Sequence, residues 1–153
     1  IMSGKYEICQ QSFYHGLNSI ARAGECKGEQ RKKMISNAIR EIIRMKEWAI
    51  HSAWNCQHKV ELLNAELHFL KGKSQEAQVA FDNAINLAKK HGFIHDQALA
   101  CERTGISHRK QGNFLTAVDY FSKSQECYIL WGSIAKSDHV QKELDALKLK
   151  VNP

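Results

Sequence analysis

Eight histidines and five cysteines are the side chains of this 153-residue sequence best suited to chemistry, as metal ligands, proton carriers or nucleophiles. Two groups lie close together along the chain: Cys56-x-His58 with His51 nearby, and His91-x-x-x-His95. Zinc needs four donors converging in a tetrahedron, and the second pair spans a glycine turn rather than one helical face. Both groups are therefore expected to be satisfied polar or packing side chains, with no metal and no cofactor. Cys9, Cys26, Cys56, Cys101 and Cys127 are odd in number and far apart, which fits neither a disulfide framework nor a CxxC site. Reduced thiols in a cytoplasmic protein are the expectation. The phosphate loops GxxxxGK[ST] and GxGxxG and the hydrolase signatures HExxH and GxSxG do not occur, so no catalytic residue and no enzyme is expected.

Charge points only weakly to a partner. Twenty-two basic against sixteen acidic residues leave +6, and the tightest run, Arg31-Lys32-Lys33, reads as a solvated helix start or face. Binding of nucleic acid or of an anionic membrane through this basic surface is the alternative to a protein partner. No apolar run approaches the length of a bilayer span, and the opening residues predict no secretory leader.

The elements that position these side chains can be read from proline and glycine. Pro153 is the single proline, so almost nothing interrupts helices. Gly72, Gly92, Gly112 and Gly132 recur at 20-residue steps, and glycine is the usual helix stop because its φ turns positive without steric cost. The spacing predicts antiparallel helices joined by short turns, at about 3–22, 30–51, 55–71, 74–90, 94–110, 114–131 and 134–149. Side chains also return after 40 residues: Ala65 as Gly105, Ala77 as Ala117, Phe81 as Phe121 and Ala84 as Ser124. Ala38, Ile42, Met45, Trp48 and Ala49 repeat the pattern upstream at 39. Trp48, Phe81, Phe121 and Trp131 fall on the apolar stripe and are expected in the core rather than stacked on bases. Ser133 is placed to cap a last helix whose single stripe, Val140, Leu144 and Leu147, suits a terminal cap.

This alternation of small and aromatic positions resembles the tetratricopeptide repeat. Gly72 and Gly112 fall on the inter-helix turn, Ala65 and Gly105 on the small position of the first helix, and Ala77 with Phe81 and Ala117 with Phe121 on the second. The first-helix Trp and Tyr are replaced by Glu61 and His68 in one unit and by Cys101 and His108 in the other, and the period is 40 rather than 34. The resemblance implies an all-α fold: a right-handed α-solenoid of antiparallel helix pairs forming a single domain over 1–153. Its units would be 3–51 (degenerate), 55–90 and 94–131, followed by the capping helix 134–149. A second resemblance covers Trp48 to Leu144, through Asn55-x-x-His58-Lys59, Ala98-Leu99-Ala100-x-Glu102 and Tyr128-x-x-Trp131-Gly132-x-x-Ala135-Lys136. It is to the helical-repeat segment between an AAA-type ATPase and a sensor histidine kinase region in large multidomain signalling proteins.

These likenesses imply a noncatalytic protein–protein interaction or scaffold module within a signal-transduction protein. In tetratricopeptide arrays the first helices line the concave face. That places Lys59, Leu62, Glu66 and Phe69, then Leu99, Glu102, Ile106 and Arg109, in a peptide-binding groove for a protein, a peptide or a neighbouring domain. The remaining reading is that the groove binds nothing and the array spaces its neighbours.

Overall fold

The computed structural model describes residues 2–153. Among them the chain is all-helical: α1 (Met2–Glu25), α2 (Gly28–His51), α3 (Ala53–Leu70), α4 (Ser74–Lys90), α5 (Ile94–Lys110), α6 (Phe114–Trp131) and α7 (Ile134–Val151). The glycine spacing locates α4, α5 and α6 to the residue. The N-terminal turn is shorter than the gap expected between residues 22 and 30, because Gly24 stays helical and only Cys26 and Lys27 separate α1 from α2.

The 20-residue step has one hydrogen-bond pattern behind it. At Gly72 (φ 77°) the backbone N–H reaches back to Phe69 O, and the next N–H, of Lys73, donates to His68 O at 2.9 Å. Gly112 (φ 80°) repeats this, its N–H donating to Arg109 O and that of Asn113 to His108 O at 2.9 Å. This pair of bonds satisfies carbonyls that the helix end would otherwise orphan, and it requires the left-handed backbone that glycine adopts most readily. The same pairs close α4 and α6, Phe93 to Ala88 and Ser133 to Tyr128. Ser133 does hold the N-cap position of α7, but its side chain makes no capping hydrogen bond; its backbone carbonyl accepts from Ser137 N–H instead.

The helices gather into two compact units, residues 1–84 and 85–153, the division falling within α4. In the N-terminal unit α1, α2 and α3 pack on one another. Phe13 and Ile20 of α1, Ile42 and Met45 of α2, and Val60 and Leu63 of α3 are buried there. Close approach needs a missing side chain at Gly16, where a Cβ would stand 3.0 Å from the Leu63 side chain. A polar pin joins α1 to α2: buried Glu41 takes a hydrogen bond from His15 Nδ1 at 3.0 Å, with Arg44 at 3.8 Å. Burial pushes the Glu41 carboxyl up, but hydrogen bonds from Ser12 and His15 and the Arg44 charge outweigh it and hold the group below its ordinary range.

In the C-terminal unit α6 packs against both α5 and α7. Ala98, Ala117, Phe121, Tyr128, Val140, Leu144 and Leu147 form one buried cluster. The positions that return after 40 residues are buried in both copies, Ala65 and Gly105, Ala77 and Ala117, Phe81 and Phe121, Ala84 and Ser124. Their physical role is explicit at Gly105, whose absent Cβ would lie 3.1 Å from three atoms of the Phe121 ring. Ser124 adds a hydroxyl to this small position and donates it to Ala98 O at 2.8 Å.

Candidate functional site

Of the eight groove positions four are buried and four half-buried. On α3, Lys59 is 1% exposed, Leu62 and Glu66 are buried and Phe69 is half-buried. The Lys59 ammonium lies 5.7 Å from the Tyr6 ring centroid and 5.9 Å from that of Phe13, with His58 Nε2 at 3.3 Å. Aromatic faces carry part of the solvation that a buried cation forfeits. On α5, Leu99, Ile106 and Arg109 are half-buried and Glu102 is 5% exposed. Within that unit, Glu102 and Arg109 both turn to neighbouring helices. Lys136 of α7 donates to Glu102 Oε1 at 2.7 Å, the Tyr128 hydroxyl of α6 donates to Oε2 at 3.3 Å, and Arg109 pairs with Glu143 of α7.

This network gives the run Tyr128-x-x-Trp131-Gly132-x-x-Ala135-Lys136 a physical reading. Tyr128 and Lys136 converge on one buried carboxylate, with the Lys136 ammonium 5.3 Å from the Tyr128 ring centroid. Charge-assisted bonds of this kind compensate the desolvation of Glu102. Trp131 departs from the expected core position, since it is 54% exposed at the last turn of α6 and leans on the His95 ring with centroids 4.4 Å apart. Beside it Ile129, Leu130 and Ile134 are also exposed, Leu130 and Ile134 at 77% each. They form an apolar rim along the α6–α7 turn.

In the basic run Arg31 is engaged in structure, while Lys32 and Lys33 are exposed. Arg31 donates from Nη1 to Ala23 O at 2.8 Å and from Nη2 to Leu70 O at 3.3 Å, so one guanidinium meets carbonyls at the C-terminal ends of both α1 and α3. Cations are favoured at helix C-termini, where unpaired carbonyls concentrate negative potential. Lys32 pairs with Glu29 at 3.3 Å on the surface.

A site that the spacing of residues did not suggest lies in the N-terminal unit. Cys9 of α1 and Cys56 of α3, 47 positions apart, bring their sulfurs to 3.2 Å. Neither sulfur is in a disulfide. They line a cavity of about 510 Å³ with Tyr6, Trp48, His51, Ser52, Trp54 and Asn55. The hydrogen bond from Cys9 holds the Cys56 thiol down to about 7, against the upward push of burial and with help from the Lys59 charge. A thiol so placed has more thiolate character than an ordinary cysteine, and the thiolate is the reactive form. His58 is buried beside Lys59 and His51 is exposed at the cavity, and among the described residues no three His, Cys, Asp or Glu side chains gather as a metal would require. At the other histidine group, His95 is engaged with Trp131 and with Asp96, 3.5 Å away. Among the described residues no helix is long and apolar enough to cross a membrane.

Comparison with protein-family profiles, with curated proteins and with solved structures returns no match for this chain.

Proposed function

We propose that this chain is a noncatalytic helical-repeat module that engages a partner protein. It is built as a right-handed solenoid of antiparallel helix pairs capped by α7, and it serves as a scaffold within a larger signalling protein. The observation that carries this reading is the apolar rim of Ile129, Leu130, Trp131 and Ile134, held open to solvent beside a turn whose charged neighbours are paired internally. Contiguous exposed apolar surface on a folded unit marks a place where another protein docks. The 40-residue return of small and aromatic positions supports the stacked architecture, and the Trp48–Leu144 resemblance supports the signalling context. Polyanion binding is the weaker reading, because Arg31, the centre of its case, is engaged with the carbonyls of Ala23 and Leu70.

Replacement of Leu130 and Ile134 by Asp tests the assignment, since both are exposed and should leave thermal stability nearly unchanged. Proteins captured from extract by the native chain are identified, purified and titrated against both forms by calorimetry. The expected result is a loss of affinity of at least about tenfold, or 1.4 kcal/mol. Equal affinity for every captured partner would remove the rim as the docking surface.

A further inference from the structure

We propose that Cys56 is a site of reversible oxidation by hydroperoxides, with Cys9 as the thiol that resolves it into a disulfide joining α1 to α3. Four observations on the N-terminal unit converge here. The two sulfurs are 3.2 Å apart, so closing to a bond length of about 2.05 Å asks for a relative movement of only about 1.1 Å. Both line one cavity of about 510 Å³, roomy enough for a small peroxide, and its wall includes the exposed side chains of Tyr6, His51 and Trp54, which give a route from solvent. The titratable groups around Cys56 come from three helices: Tyr6 and Cys9 from α1, His51 from the end of α2, and His58 and Lys59 from α3. Of these, the Cys9 hydrogen bond and the Lys59 ammonium stabilise a Cys56 thiolate. A low pKa, access and a neighbouring resolving thiol together are what distinguish redox-responsive cysteines from inert buried ones.

The chemistry balances with hydrogen peroxide as the named oxidant. The Cys56 thiolate attacks one peroxide oxygen, the O–O bond breaks, and the departing hydroxide takes up a proton to leave as water. Cys56 is then a sulfenic acid. Cys9, giving up its proton, attacks the Cys56 sulfur; the S–O bond breaks and the hydroxide leaves with that proton as a second water. The two sulfurs together lose two electrons and the peroxide gains them. A dithiol reductant reverses the change by thiol–disulfide exchange.

The experiment treats the reduced full chain with a small excess of hydrogen peroxide and follows intact mass and peptide maps. The expected product is lighter by two hydrogens, carries a Cys9–Cys56 cross-link, and returns to the starting mass with dithiothreitol. Cys56 should be oxidised at least about tenfold faster than Cys101, as its greater thiolate character requires. In Cys9→Ser the reaction should stop at a Cys56 sulfenic acid that dimedone traps. The proposal is overturned if the native chain forms no Cys9–Cys56 cross-link, if Cys56 passes directly to sulfinic or sulfonic acid, or if Cys101 reacts as fast. The native-chain measurements need no substitution, so they decide the matter even where Cys9→Ser fails to fold.

Discussion

Cys56 in the N-terminal unit and Cys101 in the C-terminal unit are both buried thiols on the inner face of a helix, yet one is held at about 7 and the other is pushed up to about 12. Burial acts in the same direction on each. What differs is the neighbour. Cys56 has a second thiol in hydrogen-bond contact and a lysine close by, whereas Cys101 is governed by burial, raised further by the Cys127 thiol and only partly relieved by Lys123. The contrast extends to buried cations and carboxylates. In the C-terminal unit Glu102 has a lysine and a tyrosine directed at it, while in the N-terminal unit Lys59 lies against aromatic rings. The first arrangement fixes one geometry; in the second the lysine charge also acts on a neighbouring sulfur, that of Cys56.

Alkylation should separate the two thiols by the widest margin. At pH 7 a group titrating near 7 is about half thiolate and one near 12 about one part in 10⁵, each unit being tenfold. Iodoacetamide labelling of Cys56 should therefore rise through a midpoint near pH 7, while Cys101 stays unlabelled until the unit unfolds. Comparable labelling of both in the folded chain would erase the distinction. Next in size, Phe121→Ala should cost about 3–5 kcal/mol, because the ring is fully buried against Gly105. Denaturant melts followed by hydrogen exchange would show whether the loss stays within residues 85–153, as two separately compact units predict, or spreads evenly through the chain. Smaller again, Lys136→Met should cost about 1–3 kcal/mol by leaving Glu102 buried with its tyrosine bond alone. A change below about 0.5 kcal/mol would mean that the pair does not hold α7 in place.

Much of the helical order was legible because its signals are local. Each stop glycine acts on its own helix end, and Phe81 and Phe121 lie on stripes that a 3.6-residue period reveals. What escaped was long-range or conditional. The Cys9–Cys56 contact joins residues 47 apart, and no spacing rule links a thiol on one helix to a thiol two helices later. Trp131 has the stripe's periodicity but stands one residue before its stop glycine, where the helix ends before it can enclose the ring. Glu102 reads as a polar groove position until the two donors that accompany it underground are known. Arg31 reads as one of three surface charges, and only folding brings the ends of α1 and α3 within its reach.

The recurring helix-end hydrogen bonds also bear on how such a chain can change length over evolution. Each helix rotates by about 100° per residue, so a single insertion between Phe121 and Gly132 would carry every later side chain of α6 off the face that holds Tyr128. The stop would move with it, turning the chain toward α7 at the wrong angle. Gains and losses inside these helices are therefore tolerated only as nearly whole turns of three or four residues. Single-residue changes belong in the links, such as the one between α1 and α2, where Cys26 and Lys27 alone separate the helices.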